Sequence, residues 1–319
     1  MEIGLFDIVN RHQIYLEGLK AGQVRTFGPI IRAFDELIRD ELSKLSYDQL
    51  SNMSKAALTV FIARFRKAMI GVYNPWLTSQ LEWFERYIRA DTSLWVELYS
   101  AHSPDKAAKL AEAEDEDNFG AIFAAWKNAP LGANGVLPIA MLTDMIGLHV
   151  GQSLNAIRRG YSSGWTPAET IAFMRGTPRN NFRDGLLNKF NNQAAASLNT
   201  IIQAAAAQAN GNVARRVWLE YEWCSILDDK TTRICRRLDG KHWPFGKGPL
   251  PPAHVGCRSD IKPWDGIPSP DEPFSVWASR QSADFIKDAF DGKAPAAYEG
   301  TKPISLDQFR AKGGLILAA

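Results

Sequence analysis

Apolar side chains recur at helical spacing through the first hundred residues, and this periodicity limits the possible folds more than any other feature of the chain. Ile30, Ile31, Phe34, Leu37, Ile38, Leu42 and Leu45 fall at i, i+3/i+4 and i+7, which places them on one helix face. Leu58, Phe61, Phe65, Met69 and Ile70 form a second stripe. Asn74-Pro75 is expected to end it, because proline disfavours the α conformation of the residue before it. Trp76, Leu77, Leu81, Phe84, Ile88, Leu94, Trp95 and Leu98 carry the pattern on. Long amphipathic helices with short connections predict antiparallel neighbours in an N-terminal helical bundle.

The acidic run 112–117 reads as a solvated helix face or linker and as the main domain boundary, with the loop 128–135 next. A further helix is predicted from Pro138, with Leu142, Met145, Ile146, His149, Val150, Leu154 and Ile157 on its stripe and Gly160 and Gly164 breaking it. Thr166-Pro167-Ala168-Glu169 combines an N-cap threonine, proline at N1 and glutamate at N3, so another helix starts there. An alanine-rich helix is predicted from about Asp184 to Ala209, closed by Asn210-Gly211-Asn212.

Beyond it the character changes. The stretch 213–226 is rich in β-branched and aromatic residues and predicts a strand. Residues 231–238 fit one short helix, Asp239-Gly240 a turn, and 258–264 a second strand returning beside the first. The expected class is therefore α+β and predominantly helical. A helical domain at 1–130 is followed by a helical segment with a small antiparallel unit at 131–265, then by a tail with a short helix at 266–319.

With 319 residues, 45% of them hydrophobic and 23% charged, the chain has the make-up of a globular protein of about two domains. No apolar run approaches the roughly 18 residues of a membrane span. Met1-Glu2-Ile3-Gly4 lacks the basic flank of a secretory leader, so synthesis in a cytoplasm is expected. Charge is uneven: 14 Lys and Arg against 18 Asp and Glu in 1–117, then 17 against 10 in 118–265. That excess is too weak to argue nucleic-acid binding by itself.

Three cysteines are too few, and an odd number, for a disulfide framework, yet Cys224, Cys235 and Cys257 lie within 34 residues. Cys235, His254 and Cys257 are ligand types that zinc prefers, with a fourth to come from Cys224 or His242. The spacing His254-Val255-Gly256-Cys257 resembles half of a zinc knuckle; the other half is irregular. The competing reading is reduced, half-buried thiols packed around a small hairpin.

The same segment resembles the Mu F-like phage head morphogenesis (minor capsid) family. The shared pattern is a Trp, then Leu-Asp-x-x-Thr, a Cys, Asp-Gly, and a closing Pro-Pro-x-His-x-x-Cys-Arg. It falls here on Trp223, Leu227, Asp228, Thr231, Thr232, Cys235, Asp239, Gly240, Pro251, Pro252, His254, Cys257 and Arg258. A softer likeness continues through Trp277, Arg280-Gln281, Phe290-Asp291-Gly292-Lys293, Gly300, Ser305-Leu306, Phe309 and Gly313-Gly314. One departure is Thr232, where many members carry a cysteine, so a Cys-x-x-Cys arm is absent. Asp228 and Thr231 are suited to a local side-chain-to-backbone bond at the start of the short helix, and Arg258 to a bridge onto Asp228 or Asp229.

The resemblance implies a structural minor head protein of a tailed phage, located in the virion head or at the portal vertex and in the host cytoplasm during assembly. Its partners would be the portal protein, the major capsid protein or phage DNA, and it would be present in multiple copies. Zn2+ is the implied cofactor if the thiols hold one. No HExxH, GxSxG or GxxxxGK[ST] motif occurs, and neither His242 nor His254 is followed by the glutamate a zinc deaminase needs. No enzyme is expected. His12, His102 and His149 read as surface or core histidines. Two rivals remain: a DNA-binding accessory protein using Lys230, Arg233, Arg236, Arg237, Lys241 and Lys247, and a zinc-dependent enzyme built on Cys235, His254 and Cys257.

Overall fold

A computed structural model describes residues 4–282 and Phe285. The helices are α1 (Leu5–Arg25), α2 (Gly28–Ser43), α3 (Lys55–His102), α4 (Ala107–Ala111), α5 (Glu116–Asn128), α6 (Pro138–Ser162), α7 (Pro167–Arg175) and α8 (Leu186–Ala214). Then follow β1 (Glu220–Ser225), α9 (Arg233–Leu238), β2 (His242–Pro244), β3 (Ser259–Pro263) and α10 (Phe274–Ser279). The fold is α+β and predominantly helical, as the periodicity predicts. No helix among the described residues is long and apolar enough to cross a membrane.

Two compact units interleave along the chain, rather than following one another with cuts at 130 and 265. Among the described residues, one comprises 4–23, 83–138 and those from 198 onward, the other 24–82 and 139–197. The acidic run at 112–117 therefore lies inside the first unit and marks no boundary. Its Ala113 is buried, Glu112 pairs with Arg216 at 3.3 Å, and Glu116 pairs with Arg89 at 2.5 Å.

In the second unit, Phe34, Ile38 and Leu42 of α2, Phe65, Met69 and Tyr73 of α3, and Leu154 and Ile157 of α6 are buried. Asp35 on α2 meets Arg175 on α7 at 2.6 Å. The capping box at Thr166 forms as its sequence requires: Glu169 N–H donates to the threonine hydroxyl, and Thr166 N–H donates to the Glu169 carboxylate. His149 sits in this core against the Tyr73 hydroxyl, 2.5 Å from Nδ1, and its ring stacks on Phe190.

Pro75 does not end its helix; α3 runs through it without a break. Proline inside a helix costs about 3 kcal/mol, but each large apolar side chain buried contributes about 1.5–3 kcal/mol. Phe65, Met69, Tyr73, Trp76 and Phe84 keep one buried stripe continuous on both sides of Pro75. Burial outweighs the lost backbone bond.

The first unit packs α1, the end of α3, the end of α8 and α10 around one core that includes Ile8, Val9, Trp95, Tyr99, Val213, Trp218 and Trp277. Asn210-Gly211-Asn212 lies within α8 and does not close it. Asn210 is engaged in tertiary bonds, accepting from the Tyr99 hydroxyl at 2.6 Å and donating to the Ile261 carbonyl at 2.8 Å. Gly211 lies inside the helix, where a Cβ would stand 3.4 Å from the Ile261 side chain, so it neither caps α8 nor leaves it. The strand expected over 213–226 is shorter, because α8 continues to Ala214.

The sheet has the order β2-β1-β3, with both pairings antiparallel. Tyr221 pairs with Trp243 on one side and with Pro263 on the other; Ser225 is opposite Ser259. The β3 residues are all buried, whereas β2 is three residues long and its His242 and Pro244 are exposed. Each outer strand ends in proline.

Candidate metal centre

Successive side chains of β1 point to opposite faces of the sheet, and this alternation sorts the cysteines. Trp223 is fully buried in a small cluster with Cys235 and Cys257, flanked by Leu238, Trp243 and Ala253. Cys224, one residue on, belongs to the other core, with Tyr99, Trp218 and Ile226. The fourth-ligand role expected of Cys224 is therefore corrected by the pleat. His242 is also elsewhere, stacked on Trp264 with ring centroids 4.5 Å apart and 3.3 Å from Glu220.

Cys235, His254 and Cys257 do come together, their ligand atoms all within 4.8 Å of one another. Cys235 Sγ is 3.1 Å from His254 Nε2 and 3.6 Å from Cys257 Sγ. A tetrahedral zinc with Zn–S near 2.3 Å and Zn–N near 2.0–2.1 Å sets its ligand atoms about 3.5–3.8 Å apart. The 3.6 Å sulfur pair matches that spacing and is far beyond a disulfide bond of about 2.05 Å, while the 3.1 Å sulfur–nitrogen contact is shorter, so His254 would have to move outward by a few tenths of an ångström to bind such an ion.

Each arm is built by local rules. Thr232 caps α9, its hydroxyl accepting from Cys235 N–H at 3.5 Å, and so holds Cys235 in the first turn. The second arm is a tight turn closed by Cys257 N–H on the His254 carbonyl at 3.1 Å. Gly256 has φ +74 in that turn, a conformation that strongly favours glycine, and its N–H donates to Thr200 Oγ1 of α8 at 3.1 Å. His254 Nδ1 lies 2.9 Å from the Val255 carbonyl. A carbonyl only accepts, so Nδ1 carries a proton, and Nε2 is the ring nitrogen that faces the thiols. Metal-binding histidines are oriented by this kind of outer hydrogen bond.

The two thiols share one charge. Cys257 is held well below the usual thiol range by the Cys235 S–H donating to it, with His254 helping and burial opposing. Cys235 is pushed up because its proton is held by Cys257. His254 is raised by the same neighbour. A metal would take the place of that shared proton, since thiolates and a neutral imidazole nitrogen are the forms that bind one.

The remaining residues of the sequence pattern brace these arms. Arg258 grips Asp228 with two bonds, at 2.7 and 2.5 Å, and Asp228 also accepts from Lys230 N–H, while its own N–H donates to the Thr231 hydroxyl. Burial opposes ionisation of Asp228, but Arg258 keeps its carboxyl below the usual range. Asp239 accepts from Ser225 N–H at 2.7 Å; burial nevertheless pushes its pKa up to about 6. Gly240, at φ +72, donates to the Trp223 carbonyl at 3.0 Å. Pro251 and Pro252 are buried and joined by a cis peptide bond.

Of the basic set, Arg236 donates to the Thr231 and Asp228 carbonyls, while Arg233, Arg237, Lys241 and Lys247 are exposed. The tail residues of the softer likeness from Phe290 onward lie outside the described residues.

His12, expected at the surface or in the core, is a core histidine with two carboxylate partners that the spacing did not reveal. His12 lies between Asp91, 2.8 Å from Nε2, and Asp260, 3.6 Å from Nδ1, all of them buried. Burial works against its charge, but the two carboxylates raise its pKa to about 9. The available signal was Asp91, a charge within the apolar stripe formed by Phe84, Ile88, Trp95 and Leu98. No family model, characterised protein or solved structure matches the chain.

Proposed function

We propose that this chain is a structural minor head protein of a tailed bacteriophage, acting in head morphogenesis at or near the portal, with no turnover of its own. One observation carries the reading. Many of the residues on which the resemblance rests, spread from Trp223 to Arg258, meet around the small sheet: Trp223 against both thiols, Arg258 on Asp228, Asp239 and Gly240 on β1. A pattern that merely coincided by composition would not be expected to bring so many of its members into one neighbourhood.

In this reading Cys235, His254 and Cys257 hold Zn2+, which supplies a structural cross-link between α9 and the 254–257 turn. The portal or major capsid protein is the partner, and several copies sit in each virion.

Purified particles of the phage or prophage that encodes the chain test the reading. The chain is expected in the head or portal fraction in several copies per particle; its absence from both overturns the assignment. DNA binding by the isolated protein that falls steeply with salt would favour the accessory DNA-binding role instead. Elemental analysis of the full chain is expected to give one zinc per molecule, lost in Cys257→Ala.

A further inference from the structure

All three cysteines and all five histidines of the chain fall within the described residues, so every soft donor can be accounted for. Cys224 is on the opposite face of β1, in another core. His12 is held between two carboxylates, His149 lies in the second unit against Tyr73, and His242 is stacked on Trp264. His102 ends α3 and is not among the grouped ligand atoms. Cys235, His254 and Cys257 are thus the whole Cys and His complement of the centre.

The oxygen donors nearby are engaged as well. Asp228 is fixed on Arg258 through both oxygens. The Thr231 hydroxyl accepts from Asp228 N–H and donates to the Ile226 carbonyl, and the Thr232 hydroxyl caps α9. Two of the ligands, Cys235 and His254, line a crevice together with Lys230, Thr231, Thr232 and Arg258 among others. Its volume is about 10 Å3, close to the least that holds one water.

We propose that the metal centre is of the open kind: Cys235, His254 and Cys257 occupy three positions, and the fourth takes a water that small monodentate donors, such as azide or imidazole, displace. Three protein ligands plus one exchangeable position distinguish reactive zinc sites from the four-ligand structural ones. The inference rests on the metal reading above and narrows it. An exchangeable position in a chain otherwise read as purely structural makes the centre responsive to small ligands.

Cobalt substitution of the full-length protein tests both statements separately. Thiolate-to-cobalt absorption in the near ultraviolet, lost in Cys257→Ser, reports that the thiols bind the ion. The visible d–d bands report the fourth ligand, and adding azide or imidazole is expected to shift them while the thiolate absorption stays. Cys224→Ser is expected to leave both features unchanged. Thiolate absorption with d–d bands that no added ligand moves means a closed site and overturns this inference alone. A spectrum altered by Cys224→Ser overturns it too, since that thiol would then be a ligand. Failure of the full chain to develop any thiolate absorption removes the metal reading, and this inference with it.

Discussion

Both oxygens of Asp228 face the guanidinium of Arg258, and the side chains are only 16% and 15% exposed. Partial burial makes this a stronger pair than a surface bridge, and hydrogen bonds to charged groups contribute about 1.5–3 kcal/mol. Asp228→Asn is expected to lower unfolding stability by about 1–3 kcal/mol. A double-mutant cycle with Arg258→Ala measured by denaturant midpoints should return a coupling of the same order. Histidine gives a second test at this scale. Burial lowers the His149 pKa to about 4, below the roughly 6.5 of an unfolded chain. As pH falls from about 6.5 toward 4 the unfolded chain takes up a proton that the folded one refuses, so stability falls, by about 3 kcal/mol in full. His12 behaves oppositely. With its pKa raised to about 9, its stabilising contribution is complete below about 6.5 and is lost as pH climbs through 9. Imidazole NMR titrations read each ring directly. A His149 that protonates near 6.5, or a His12 neutral at pH 7, contradicts the respective assignment.

At the level of elements, α3 and the 254–257 turn show opposite relations between local preference and fold. Pro75 is exposed and works against its helix, so Pro75→Ala removes a penalty without removing packing. It is expected to raise stability by about 1–3 kcal/mol, read as a higher melting temperature. Gly256 serves its turn, and alanine at φ +74 costs about 1–2 kcal/mol. Gly256→Ala should therefore weaken zinc in a chelator competition by about tenfold or more while leaving the helices intact by circular dichroism. The sequence made most elements legible because burial stripes and caps are written in adjacent residues: the Thr166 capping box, the short helix α9 and the strand pair β1 and β3 are examples. Pro75 and Asn210-Gly211-Asn212 misled, because rules for helix ends describe local backbone preference and tertiary burial overrode it. β2 has three residues and no period to detect. Cys224 was decidable in principle, since adjacent strand residues cannot share a face, but only once Trp223 was known to pack on the thiols.

At the scale of the whole molecule, the two interleaved units were beyond reach of a linear reading. Which of several similar helices pack together depends on complementary surfaces, not on order along the chain. The metal reading makes a local claim within this arrangement. On the proposed zinc cross-link, a chelator is expected to raise hydrogen exchange across residues 223–258, because an ion held by Cys235, His254 and Cys257 would join two short arms with little other core between them. Amides of α2 and α7 should keep their protection. Uniform loss of protection throughout would mean that the ion supports far more than these two arms. The outer strands of the sheet bear on crowding. The accessible one, β2, is three residues long and ends in Pro244, while β3 is buried along its length and ends in Pro263. A strand this brief, closed by a residue with no N–H, is a poor template for adding a strand from a neighbour. A concentrated solution of such chains is thereby shielded from zipping together into cross-β fibrils through this sheet.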